Sequence, residues 1–241
     1  MDTAEKTIRL RVSECDAENR WRVGAMMIEM QEAAGMHSTL LGCGREKLVE
    51  RGIAWVIVRM DLRILRYPSA GETVTVRTWR RPTRHLFFPR YFEILDGEGA
   101  QVAVASSLWV LMDLNTRKSV PAGMLPTALP DSSEMPEPMP LPPGIPNVEG
   151  PEKRIAYEPV YTDMDANHHV NNTKYADWLC NMLGVETMTE HPPEEVIIHF
   201  DSEVRPGQRV EMSLKQDGLR YQLTGNVDER AAFRIGGTLK P

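Results

Sequence analysis

Ten prolines fall between residues 120 and 151 of this 241-residue chain, in the stretch VPAGMLPTALPDSSEMPEPMPLPPGIPNVEGP. Proline carries no backbone N–H and disfavours helix in the residue before it, so neither a helix nor an inner strand can run through such a segment. It reads as an extended linker lying over the surface. The chain is thereby divided into an N-terminal domain, 1–119, and a C-terminal domain, 152–241, with the proline-rich linker 120–151 between them. Each piece is large enough to bury a core of its own.

The two pieces follow similar logic. In the first, Ile8, Leu10 and Val12 alternate as in a strand. A helical run from Val23 to Leu41 then places Met26, Met30, Ala33, Ala34, His37 and Leu41 on one face. In the second, Ile155 and Tyr157 lead to Tyr175, Trp178, Leu179, Met182 and Leu183, a helical stripe more often core than ligand site. Strand-like runs follow each helix: 53–65, 72–80, 86–95 and 100–113 in the first piece, and 195–204, 208–215, 219–227 and 230–238 in the second. A helix followed by an antiparallel meander, twice, predicts an α+β protein in which each sheet wraps a central helix. Sliding one half on the other by 147 residues pairs Asp16 with Asp163 and Val23 with Val170, and sets Glu18, Arg20 and Arg22 against Asp165, Asn167 and His169. On that register only the second copy keeps chemically useful residues.

Those residues lie in DMDANHHVNNTKYADWLCNML, Asp163 to Leu183. Side chains two apart on an extended segment share a face, so Asp165, Asn167 and His169 are expected to converge. The helix expected next would offer N–H groups near Val170 to Asn172 to an oxyanion. Duller readings compete. D-x-D-x-N opens a calcium loop, but His168 and Lys174 stand where that loop needs Gly and an acidic ligand. Zinc fails because His168 and His169 would point to opposite faces, with no third His or Cys at ligand spacing. Asp163, Asn171 and Asn172 fit turn and capping roles; Asp165, Asn167 and His169 together do not.

DMDANHHVNN, with Tyr175 and Trp178 after it, resembles the D-x-D-x-N-x-H-V-N-N-x-x-Y-x-x-W signature of the acyl-acyl carrier protein thioesterases, double-hotdog enzymes of plant plastids and bacteria. Met30 to Ala34 is similar to that family's first long helix, and Ile53 to Met60 and Ser106 to Val110 to two of its strands. The resemblance implies two tandem hotdog domains, hydrolysis of fatty acyl-acyl carrier protein to free fatty acid, and no metal or organic cofactor. It implies four catalytic residues: Asp165, Asn167, His169 and, on the strand after the second helix, Glu203. Some plant members follow that glutamate with a cysteine once regarded as the nucleophile. Here Val204 follows, which favours carboxylate chemistry, with Asp165 or Glu203 as base or nucleophile. The near alternatives are an acyl-coenzyme A thioesterase and a non-catalytic acyl-binding protein of the same fold.

The net charge of −6 argues against a nucleic-acid partner. Yet between Arg45 and Arg90 eleven Lys/Arg face four Asp/Glu. The resemblance makes that stretch, with Arg59, Arg63, Arg66, Arg77, Arg80, Arg81 and Arg84, a docking face for the acidic carrier protein. No apolar run is long enough to span a bilayer. The N-terminus carries no secretory or transit signal, and Cys15, Cys43 and Cys180 suggest no disulfide framework. A cytoplasmic protein, monomeric or homodimeric, is expected.

Overall fold

The computed structural model describes residues 2–241, which gather into two units: residues up to Trp21 with Met26–Pro142, and Arg22–Ala25 with Pro143–Pro241. In the first unit the sheet order is β1 (Thr3–Arg9), β3 (Thr73–Arg80), β4 (Phe87–Asp96), β5 (Gln101–Asp113), β2 (Ile53–Ile64), every pairing antiparallel, with the short β6 (Ser119–Val120) on β5. The helix α1 (Val23–Leu40) is built from strong helix formers. Its Met26, Met27, Met30, Ala33, Ala34 and His37 are buried. It ends where Gly42 turns left-handed (φ 76°), letting Cys43 N–H reach the Ser38 carbonyl. A one-turn helix, α2 (Arg45–Val49), anchors Leu48 before β2. The alternation read across Ile8, Leu10 and Val12 stops at buried Leu10; Val12 is exposed in a 3₁₀ turn, Val12–Glu14.

The second unit repeats the plan more tersely. Its sheet runs β8 (Pro193–Phe200), β11 (Arg230–Leu239), β10 (Arg220–Val227), β9 (Val210–Asp217), β7 (Lys153–Tyr157), again antiparallel. The central helix is shorter than expected: α3 (Lys174–Leu183) stops at Gly184 (φ 90°), and α4 (Val185–Glu190) follows as a separate piece. The Tyr175/Trp178/Leu179/Met182/Leu183 stripe is buried. Tyr175 stacks on Phe233 of β11 at 4.4 Å between centroids, and Trp178 meets Tyr157 edge-on at 5.1 Å. Phe233 also lies over Gly225 of β10, where a Cβ would come within 2.1 Å of its ring. A glycine there makes room for the aromatic cluster that seats the helix.

The proline-rich segment holds no strand beyond β6 and only one 3₁₀ turn, but it is not a loose tether. Polyproline backbone has no internal hydrogen bonds, so its carbonyls need outside donors. In the first unit Trp79 Nε1 donates to Pro136 O (2.8 Å), Ser106 Oγ to Pro140 O (2.7 Å), and Arg81 to the carbonyls of Ser132, Ser133 and Met135. In the second, His199 Nε2 meets Pro143 O (2.7 Å) and Arg234 Nη1 donates to Ile145 O (2.7 Å). The two units divide between Pro142 and Pro143, inside the segment. No helix among the described residues is long and apolar enough to cross a membrane.

Candidate active site

Asp165, Asn167 and His169 do come together, by a different route from the one expected. The backbone here is a tight loop, not an extended run. Asp165 N–H donates to His169 O (2.9 Å), His168 N–H to Asp165 O (3.0 Å), and His168 takes a left-handed φ of 60°. Asp165 Oδ1 accepts the Asn167 backbone N–H at 2.7 Å, an Asx-turn, while Asn167 Nδ2 donates to Oδ2 at 3.3 Å. His169 Nδ1 lies 3.6 Å from Asp165 Oδ2 and 3.2 Å from its neighbour's carbonyl, Val170 O. The loop sits on the 3₁₀ turn Tyr161–Asp163. There the Asp163 carboxylate takes the Val160 N–H (3.0 Å) and the Tyr157 hydroxyl (2.7 Å), a capping role as read from sequence.

Glu203 joins from beyond the end of β8 rather than from the strand itself. Asp201 and Ser202 both donate their N–H to Ala232 O, a local widening that turns the chain out of the sheet. His169 Nε2 is then 3.8 Å from Glu203 Oε1, so the imidazole stands between two carboxylates. The gap of 3.8 Å exceeds a direct hydrogen bond. The side chains of Asp165, His169 and Glu203 keep 19%, 25% and 28% exposure, enough for water and substrate to reach them.

Two contributors escaped the sequence reading. Arg205 Nη2 lies 3.4 Å from Glu203 Oε2, an alternate-residue pairing just past a strand end. Tyr175, read only as core, hydrogen-bonds with the Val204 backbone; burial foremost, and then the Glu203 and Asp165 charges, push its pKa up. With Val170 N–H on Val204 O (2.8 Å), this fixes the peptide next to Glu203 from two sides. The same bond takes up one of the donors expected for the oxyanion hole. Val170 N–H is engaged by Val204, Asn171 N–H by Asp163 O (2.8 Å), and α3 begins only at Lys174. Among the described residues no cluster of three or more His, Cys, Asp or Glu is arranged to hold a metal.

The first unit contains the same loop with different residues. Asp16 N–H donates to Arg20 O (2.8 Å), Asn19 N–H to Asp16 O (3.0 Å), and Asn19 is left-handed (φ 58°). Asp16 therefore matches Asp165, 149 residues on, and the 147-residue register is two residues off. Glu18 replaces Asn167 and Arg20 replaces His169. Trp21 N–H on Pro68 O (2.7 Å) mirrors Val170 on Val204, which puts Tyr67 at the place of Glu203. In that copy Arg20 is bound to Asp16 at 3.0 Å through Nε and through Nη2, and its guanidinium is 5.7 Å from the Tyr67 ring centroid. Where the second unit has an imidazole between two carboxylates, the first has an ion pair capped by an aromatic ring.

The arginine-rich stretch is less available than its sequence implies. Arg66 pairs with Glu72 and Asp96, Arg77 with Glu5 and Glu93, Arg81 and Arg84 with Glu137, and Arg80 is buried. Four of the seven arginines expected to dock a carrier protein thus face acids, most of them distant in sequence.

Two family models match the chain: the acyl-ACP thioesterase N-terminal domain over residues 2–123 and its C-terminal domain over residues 149–234. The palmitoyl-acyl carrier protein thioesterase of Cuphea hookeriana, a chloroplast protein, is 28% identical over 201 residues, 74% of this chain and 46% of its own. Its Arabidopsis thaliana namesake is 26% identical over 214 residues, 80% of this chain and 50% of its own. The chain spans about half the length of the curated relatives it matches. The solved acyl-ACP thioesterase of Bacteroides thetaiotaomicron superposes with a TM-score of 0.90 at 21% identity, covering 99% of this chain and 98% of that one. The 12:0-ACP thioesterase of Umbellularia californica gives 0.81 at 21%, covering 99% and 97%. These likenesses establish the double-hotdog fold.

Proposed function

Because the chain belongs to the acyl-ACP thioesterase family, we propose that it hydrolyses the thioester of a fatty acyl group carried on acyl carrier protein, releasing the fatty acid and the carrier thiol. The observation that carries this reading is the alignment of Asp165, His169 and Glu203, imidazole between two carboxylates, on a loop that water can reach. Asp165 already accepts two donors from Asn167, which suits it to orient its neighbours. Glu203, next to the open side of His169, acts as the base. It takes a proton from water as the water oxygen attacks the thioester carbonyl. The tetrahedral intermediate then expels the thiolate, which takes a proton from the His169–Glu203 pair. A side-chain amide carries two N–H donors. One points at Asp165, and the other is assigned to the acyl oxygen, in the role first sought from Val170 to Asn172. A positioned base contributes about 10²–10⁴-fold and an oxyanion donor about 3–4 kcal/mol.

The self-neutralised arginines favour a second reading, an acyl-coenzyme A thioesterase, because they weaken the case for a carrier-protein docking face. Thiol release from matched acyl-carrier-protein and acyl-coenzyme A substrates separates the two. A higher kcat/KM on the carrier protein at every chain length is expected. A higher value on coenzyme A would select the alternative, and no turnover of either would leave an acyl-binding protein.

A further inference from the structure

Glu203 sits outside any strand. β8 ends at Phe200, and the N–H groups of Asp201 and Ser202 both go to Ala232 O. The residue after Glu203, Val204, is fully buried and tied at both of its backbone polar groups. Its carbonyl accepts Val170 N–H at 2.8 Å. Its own N–H meets the Tyr175 hydroxyl. That bond favours the phenolate over the phenol, the mark of a donor, so Val204 N–H gives and the Tyr175 oxygen receives.

The first unit keeps one of these ties and lacks the other. Trp21 N–H reaches Pro68 O at 2.7 Å, as Val170 N–H reaches Val204 O. The 149-residue offset that matches Asp16 to Asp165 and Trp21 to Val170 puts Met26 at the place of Tyr175. Burial agrees: Met26, Met27, Met30, Ala33 and Ala34 fall on Tyr175, Ala176, Leu179, Met182 and Leu183, each of them buried. Proline has no N–H to give, and methionine has no hydroxyl to receive one. Donor and acceptor are thus missing together from the copy in which Arg20 stands for His169 and Tyr67 for Glu203. The tie common to both units belongs to the fold. The tie found in the second alone accompanies its acid–amide–imidazole set.

We infer that Tyr175 is a positioning residue for the hydrolysis: its hydroxyl, by holding Val204 N–H, fixes the peptide that follows Glu203 and so aims that carboxylate at His169. The role presupposes the reaction proposed above, with Glu203 as its base. The hydroxyl can serve because its ring is itself held. Tyr175 is buried, stacks on Phe233 at 4.4 Å between centroids and meets Trp178 edge-on at 5.2 Å. With the tie cut, the Glu203 peptide is free to rotate, and misplacing a reacting group by about 1 Å costs about 10²-fold in rate.

Steady-state thiol release, from the better of matched acyl-carrier-protein and acyl-coenzyme A substrates, tests this role. The proteins are the parent, Tyr175→Phe, Glu203→Gln, the double variant and Tyr221→Phe, each with a melting curve. Phenylalanine keeps the stacked ring and removes only the oxygen. The kcat of Tyr175→Phe falls at least about tenfold while KM stays within about twofold, because substrate contacts are untouched. In the Glu203→Gln background the same substitution costs nothing more, since a residue acting through Glu203 has nothing left to aim. Tyr221 is the control. It is equally buried, and its hydroxyl donates to Glu195 O (2.7 Å), at the opposite end of β8 from Glu203. Tyr221→Phe loses stability as Tyr175→Phe does but keeps the parent kcat. If Tyr175→Phe does not fold, Tyr175→Met, the first unit's residue, carries the same comparison. Four results would overturn the positioning role: Tyr175→Phe at the parent kcat, an equal kcat loss in Tyr221→Phe, a further loss on top of Glu203→Gln, or failure of both Tyr175 variants to fold. A parent that releases no thiol, or a Glu203→Gln variant at the parent rate, would instead defeat the hydrolytic reading, and the role with it.

Discussion

Asp165 concentrates the loop's geometry in one side chain. Its Oδ1 holds the Asn167 backbone, its Oδ2 holds the Asn167 amide, and His169 stands 3.6 Å away. Replacing one oxygen by an NH₂ in Asp165→Asn keeps the shape but sets a donor against a donor or removes the charge facing the imidazole. Turnover is expected to fall at least about tenfold while thermal unfolding changes little, because the side chain is part-exposed. Steady-state kinetics with a parallel melt check both halves. The residue types at this site were legible in sequence; their geometry was not. Alternation along a strand predicted that this trio converges, and it does, but through a tight loop, since a left-handed histidine at 168 has no sequence signal and non-glycine residues seldom adopt that conformation. Glu203 came only from resemblance. Arg205 was missed because nothing in the sequence shows that the chain leaves the sheet after Phe200.

Among the elements, the 3₁₀ turn before the loop is the hinge of the second unit's site. Tyr157 at the end of β7 gives its hydroxyl to buried Asp163, and burial first, then this bond, push its pKa up to about 12. The folded chain therefore keeps a proton that the unfolded chain loses near pH 10. The stability from this contact is complete below about pH 10 and is lost as pH rises through about 12. Tyr157→Phe should cost about 1–3 kcal/mol at neutral pH, through the loss of one of the two donors to a buried carboxylate, and should flatten the alkaline decline seen in urea titrations. A variant as stable as the parent, with the same alkaline slope, would mean that the contact carries nothing. Elements were readable where period and propensity agreed, as in the α1 face and the α3 stripe. Their ends depended on backbone conformation, as at Gly184, where α3 stops. The repeat register slipped by two because Asp163 and Asp165 are both aspartates at plausible positions. Only the matching hydrogen bonds around Asp16 distinguish them.

At the scale of the whole molecule, one loop geometry occurs twice with opposite chemistry. Asp165, His169 and Glu203 form a chargeable, water-accessible line in the second unit. Asp16, Arg20 and Tyr67 form a closed ion pair under a ring in the first. The sequence reading anticipated one competent copy and a docking face built on local charge; it did not foresee that several of those arginines face acids such as Glu5, Asp96 and Glu137, which come from distant strands and from the proline-rich segment. The most direct measurement is the initial rate of thiol release from acyl-carrier protein by the parent chain, Glu203→Gln and Arg20→Ala, each confirmed folded by its melting curve. Glu203→Gln should lose at least about tenfold in kcat, whereas Arg20→Ala should keep the parent rate with a stability loss of about 1 kcal/mol or less. A Glu203→Gln enzyme running at the parent rate, or an Arg20→Ala enzyme that has lost its activity, would contradict a single hydrolytic centre in the second unit.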